Sequence, residues 1–303
     1  MQPSEIQALI QLLDDPDEGV YQHVREALMG QGEQLLPWLR SERHAYPWAD
    51  LHGQRLDELV HGLHFAALRN RSVAWGFGQE RSVLEGAIIL EEAVMPHADG
   101  EGIRAAFQKL RRDAWLEMDT SLTTLEQVRL LNHTLFERYG LAKLHRRTPQ
   151  PGDALLGQVL QQRKGNPVGI GMLYLALAQS LEMPLYPVQL RHHFLLCCHD
   201  EDRIPEKPGS GADASFYIHP FGKGSIILPG DIEDFISESE RQAGTFCAPC
   251  PVEFAMERHF YHVAWLLEQR EQTSLARQVR ELIAPWASKT EHPANGGNHH
   301  PEI

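Results

Sequence analysis

Between Val168 and Met183 the chain reads VGIGMLYLALAQSLEM, a stretch apolar on nearly every side. A helix of that kind has no face to give to water, so it must lie at the centre of whatever the chain builds. Its ends are marked. Asn166 is a natural N-cap, Pro167 fits a first turn where a missing N–H costs nothing, and Pro184 ends the run. LYPVQL and HFLLCC follow, two short runs of branched and aromatic residues that read as strands. A polar loop with Gly and Pro over 199–213 leads to a third strand in SFYIHPF, and Gly222 and Gly224 make the turn after it.

Most of the remaining chain reads as helix. Over the first 80 residues, Val20, Val24 and Leu28 share a face. Gly30 and Gly32 interrupt it, Leu35, Leu36 and Leu39 resume it, and Leu56, Leu59, Val60 and Leu63 continue it. The stretch DDPDEGVYQHVREALMGQGEQLLPWLR is similar to one helical-repeat hairpin of the HEAT sort, with no clean second copy. Residues 82–94 predict a buried helix, and Met95 to Gly102 a loop. An amphipathic helix then carries Ile103, Phe107, Leu110, Ala114 and Met118 on one face. Thr123 and Glu126 form a capping box that opens a helix ending at Gly140. A polar connector over 141–152 precedes a helix over 154–163. Residues 231–237 predict a short helix, 252–269 and 272–284 an antiparallel pair, and the polar tail after Ala287 is expected to be disordered.

A net charge of −13 repels polyanions, so no nucleic-acid partner is expected. Arg111–Arg112 and His145–Arg147 read as solvated helix ends. No apolar run approaches the ~20 residues that span a bilayer. The N-terminus lacks the basic start and apolar core of a signal peptide, so the expected location is the cytoplasm, with no membrane partner. Cys197, Cys198, Cys247 and Cys250 do not form a disulfide framework. Cys247 and Cys250 have C-x-x-C spacing but no second ligand pair, and read as loop residues. His192, His193, His199 and His219 fall on or near two strands that can pair, where a hydrogen-bonded structural pair is expected rather than a metal site. His259 and His262, one helical turn apart, read as packing or rim residues, and His292, His299 and His300 as solvated. Glu91 and Glu92 read as surface charges at a helix end. No cofactor or metal is expected.

The segment VLQQRKGNPVGIGMLYLALAQSLEMPLYPVQLRHHFLL, followed by FYIHPFGKG, resembles the SirB-type branch of the transglutaminase-like superfamily. That branch shows an Arg-x-Gly-x-Pro turn, a tyrosine-containing apolar helix, a His-Phe strand and an Asp/Asn-Pro-Phe strand. The resemblance is strong over 150–230 and looser over 80–145. It implies a helix-rich α+β fold: a papain-type core with a small antiparallel sheet, flanked by helical hairpins. The domains expected are 1–80, helical and HEAT-like; 81–240, the core; 241–287, a helical hairpin; and 288–303, the tail.

Active relatives place a cysteine at the start of the central helix, where unpaired N–H groups and the helix dipole stabilise a thiolate. A strand histidine pairs with that thiolate, and an acid on the next strand orients the histidine. By the resemblance these positions fall on Pro167, His193 and His219. One role of three is kept. Cys197 and Cys198, beyond His193 on the same run, read as strand packing. The expected function is that of a non-catalytic binding, regulatory or scaffold protein with a vestigial cleft at Asn166, Pro167, His193 and His219. Its partner would be a protein or a small ligand. The alternative is a hydrolase or metal-dependent enzyme built on the cleft histidines.

Overall fold

A computed structural model describes residues 2–48, 50–119, 121–188, 190, 193–199, 214–236 and 249–287. The chain divides into two compact units, Met1–Ser72 and Val73–Ile303. His192, Cys247, residues 200–213 of the polar loop and the tail with its three histidines lie outside the described residues.

The first unit holds α1 (Pro3–Gln11), α2 (Glu18–Met29), α3 (Leu36–Ala45) and most of α4 (Leu51–Phe77). Asp17 caps α2 by accepting the Gly19 N–H at 2.7 Å. The apolar positions that repeat along the sequence, Val24, Leu28, Leu35, Leu39, Leu56, Leu59 and Leu63, meet in one buried cluster. Arg55 is buried beside it. Its guanidinium donates to the Leu13 and Asp15 carbonyls and to the Glu18 carboxylate at 3.2 Å, and lies 3.9 Å from the centre of the Tyr21 ring, so the charge is matched by an anion and by fixed dipoles.

The second unit opens with α5 (Val83–Val94), capped by Ser82, and α6 (Gly100–Trp115), capped by Asp99. The capping box of Thr123 and Glu126 starts α7 (Thr124–Asn132), which widens into a π turn at His133–Arg138 and stops at Gly140 with φ +76°. The connector is less plain than its polarity implied. Its start forms β1 (Ala142–Lys143), which pairs in parallel with β2 (Lys164–Gly165). Between them a 3₁₀ turn (Pro151–Ala154) precedes α8 (Leu156–Gln162).

The apolar stretch is α9 (Pro167–Ser180), and every residue from Val168 to Ala178 is buried. It packs on α5, α8, the turn at Pro151–Ala154, the first strand of the main sheet, and the first helix of the C-terminal pair. Burial of Ile170, Met172, Leu173, Leu175 and Leu177 supplies roughly 1.5–3 kcal/mol per side chain. Close approach demands two of its glycines. A Cβ on Gly171 would sit 2.2 Å from the Phe194 ring, and one on Gly169 would sit 2.6 Å from the Asp153 carbonyl oxygen.

The main sheet is antiparallel with order β3-β4-β5-β6: β3 (Leu185–Pro187), β4 (Leu196–Cys198), β5 (Phe216–His219) and β6 (Ser225–Ile227). β6 was not foreseen, because Ser-Ile-Ile is too short to stand out. β4 is shorter than HFLLCC implied: His193 lies three residues ahead of it. α10 (Ile232–Phe235) follows the sheet, and α11 (Val252–Glu268) and α12 (Thr273–Ile283) pack on one another and on α5. Helix predominates and the sheets are small, as a helix-rich α+β fold requires. Among the described residues no helix is long and apolar enough to cross a membrane.

Candidate functional site

The N-terminus of α9 is tied down on three sides. Asn166 is buried; its Oδ1 accepts the Gly169 N–H at 2.8 Å, and its own N–H donates to the Asp153 carbonyl at 2.9 Å. Its Nδ2 donates to His262 Nε2 at 3.1 Å, which fixes His262 as the Nδ1–H tautomer. His262 is half-buried and helps hold the cap of α9. Pro167 sits on the first turn with its ring exposed.

His193 and His219 come together as the strand order implied, and both are half-buried. Their ring centres stand 6.5 Å apart at 84°. An N–H···N bond of about 3 Å would bring two imidazole centres to roughly 5 Å, so these rings do not share one. The hydrogen-bonded pair expected from sequence is not what forms. Phe235 of α10 lies against both rings at 5.0 Å instead. Arg258 of α11 donates to the His193 carbonyl at 3.0 Å and fixes the backbone there. Burial first, and then the neighbouring His193 and Lys143, push His219 down to about 4. Lys143 Nζ lies 5.0 Å from the centre of the Phe221 ring, and His145 meets the same ring edge-on at 5.4 Å.

Three supports of this site carried no clear sequence signal. Tyr174, fully buried on α9, donates its hydroxyl to Asn132 Oδ1 at 2.9 Å. Asn132 Nδ2 in turn donates to the Gly224 carbonyl at 2.8 Å, which locks the turn after β5. The turn needs glycine there: φ is +69°, and a Cβ would meet Asn132. Glu91, read as a surface charge, is 1% exposed. It accepts the Gly157 N–H at 2.5 Å and thus caps α8 from another helix, and burial raises its carboxyl above the ordinary range. His259 is fully buried and donates Nε2–H to the Ala154 carbonyl at 2.8 Å; burial pushes it down to about 4. The signal that was present lay in the run AIILEE, whose apolar length exceeds what a surface helix end requires. The basic residues also do more than expected: Arg111 donates to the Ser180 carbonyl, and Arg146 pairs with the buried Asp153.

The described cysteines are buried. Cys197 and Cys198 lie within β4, paired with Tyr186 and Leu185 of β3. Cys250 donates its thiol to the Pro187 carbonyl at 3.1 Å, and burial pushes that thiol up to about 12, far from thiolate chemistry at neutral pH. Among the described residues no three His, Cys, Asp or Glu side chains are grouped as a metal would need.

Known proteins resemble parts of this chain. A UPF0162 protein of Vibrio cholerae is 26% identical over 145 residues, 48% of this chain and 50% of its own length. Another UPF0162 protein, from Xylella fastidiosa, is 31% identical over 74 residues, 24% of this chain and 26% of that protein. Mouse F-box only protein 21 is 36% identical over 84 residues, 27% of this chain and 12% of its own length. The chain thus matches half or less of each of these relatives. No solved structure matches it. The family model described as transglutaminase-like superfamily matches residues 101–258, from α6 through the sheet to the Arg258 that holds His193, and the chain belongs to that superfamily.

Proposed function

We infer that this chain is a non-catalytic member of the superfamily: a cytoplasmic binding or regulatory protein that uses the residual cleft at Asn166, Pro167, His193 and His219. The observation that carries the reading is the residue at the first turn of α9. A tertiary-amide ring stands where the resemblance to the SirB-type branch puts the nucleophile, and it offers neither a thiol nor an N–H to an oxyanion. His219, where the acid would stand, supplies no negative charge to an imidazolium. The scaffold around the cleft is nevertheless kept, from the Asn166 cap to the Tyr174–Asn132–Gly224 link.

Acylation tests it. The purified protein is incubated with an aromatic thioester and its intact mass is measured. The expected result is an unmodified mass and no release of thiol above the buffer rate. A stoichiometric acyl adduct that His193→Ala abolishes would overturn the reading.

A further inference from the structure

A groove of about 630 Å³ runs between α1 and α2, lined by residues of the first unit alone. Leu9 and Leu12 form one wall, Val20, Val24 and Ala27 the other, and Asp17 lies at the start of α2. Both walls carry apolar residues at helical intervals: i, i+3 along Leu9–Leu12, and i, i+4, i+7 along Val20–Val24–Ala27. Leu12 is 43% exposed, and Leu9, Val20 and Ala27 are half-buried. Leu9 and Val20 pack inward on the buried cluster of the unit and leave their outer sides to the groove. In arrays of helical hairpins, ridges of this kind are buried against a further helix.

Charge narrows the choice of that helix. Between Met1 and Gly30 the acidic side chains are Glu5, Asp14, Asp15, Asp17, Glu18 and Glu26, and Arg25 is the single cation. Asp15 is committed to the Asp17 N–H, and Glu18 to Arg55. Asp17 uses only Oδ1 to cap α2, and Asp17 and Glu26 are both exposed. Glu26 lies one turn from His23, which also lines the groove, and so stands at its solvent edge. Arg25 is one residue from Val24 and two from His23 and Ala27, and so faces elsewhere. The groove therefore has an apolar floor and an anionic rim, and the chain's net charge of −13 acts in the same sense.

We propose that this groove docks an amphipathic helix of a partner protein, its apolar face on Leu9, Leu12, Val20 and Ala27 and its lysines or arginines toward Asp17 and Glu26. A second copy of the chain is a poor occupant, because a two-fold contact would set the anionic rim against itself. The site shares no residue with the histidine cleft, so the two readings stand or fall separately.

Calorimetric titration of the full chain tests the assignment with a peptide of about 18 residues, leucines on one helical face and lysines on its flanks. One control spreads the same leucines round the helix; another replaces the lysines by glutamates. The faced lysine peptide is expected to bind saturably and about tenfold more tightly than either control. Leu12→Lys should weaken it by about tenfold, and Glu26→Gln by about threefold with a shallower salt dependence. Both positions are exposed, and an unchanged melting curve is expected for each variant. His193→Ala should leave the affinity unchanged. No saturable binding of the lysine peptide, or equal binding of the spread peptide, would overturn the docking site. Equal binding of the glutamate peptide would overturn the cationic partner, and loss of binding in His193→Ala would move the peptide to the cleft. Self-association in sedimentation that Leu12→Lys abolishes would overturn the proposal in favour of a second copy.

Discussion

The core around α9 and the histidine cleft beside it are built to different standards. In the core, Glu91 is matched to the Gly157 N–H, Asn166 to Gly169 and His262, and Tyr174 to Asn132, with His259 Nδ1 left as a buried exception. In the cleft, the two rings that a catalytic triad would join stand 6.5 Å apart with Phe235 against both. The core is what holds the fold and cannot be loosened cheaply. At the cleft, the positions that the resemblance assigns to catalysis hold Pro167, His193 and His219, and no hydrogen bond joins the two rings.

Substitutions can break this contrast. The largest effect is expected from Gly171→Val, which drives a branched side chain into the Phe194 ring; about 3 kcal/mol of stability should be lost, read as a lower urea midpoint. If the variant folds with wild-type stability, the close contact of α9 with the strand approach is wrong. His259 comes next. Its folded pKa of about 4 lies below the ordinary 6.5, so its contribution is present above pH 6.5 and is lost as pH falls towards 4. Over that window the wild type should lose about 3 kcal/mol that His259→Gln does not lose, measured by denaturation at a series of pH values.

Glu91 should act with the opposite slope. Its carboxyl is raised, so stability declines as pH rises above the ordinary carboxylate range, and Glu91→Gln should flatten that decline. Tyr174→Phe should cost about 1–2 kcal/mol by leaving Asn132 Oδ1 without its buried donor. The smallest effect belongs to the cleft. His219→Asp should move the melting midpoint little, because the ring is half-buried and bonds to no part of the core described above. A large loss would place His219 among the structural residues and erase the contrast.

How much of this was legible beforehand follows the same division. α9 announced itself through its apolar run and its Asn-Pro start, and the capping box of Thr123 and Glu126 needed only local chemistry. β1, β2 and β6 did not, because strands of two or three residues are made by tertiary pairing and carry no period of their own. Within the cleft, the chain order of His193 and His219 was readable, but their separation was not. Spacing along a sequence fixes which residues approach, not whether Phe235 from a later helix comes to lie against them. Glu91 was misread for a related reason: a carboxylate at the end of an apolar run looks solvated until another helix offers its N-terminus.

The bond from Arg258 to the His193 carbonyl has a consequence for biosynthesis. The residue that anchors the histidine segment is made 65 positions after the segment itself. Cys250, which grips the Pro187 carbonyl, also arrives late. The cleft is therefore unfinished while the nascent sheet is already outside the ribosome, and it takes its final form only when α11 emerges and docks. Any ligand that needs the finished cleft can engage it only after α11 has emerged and docked.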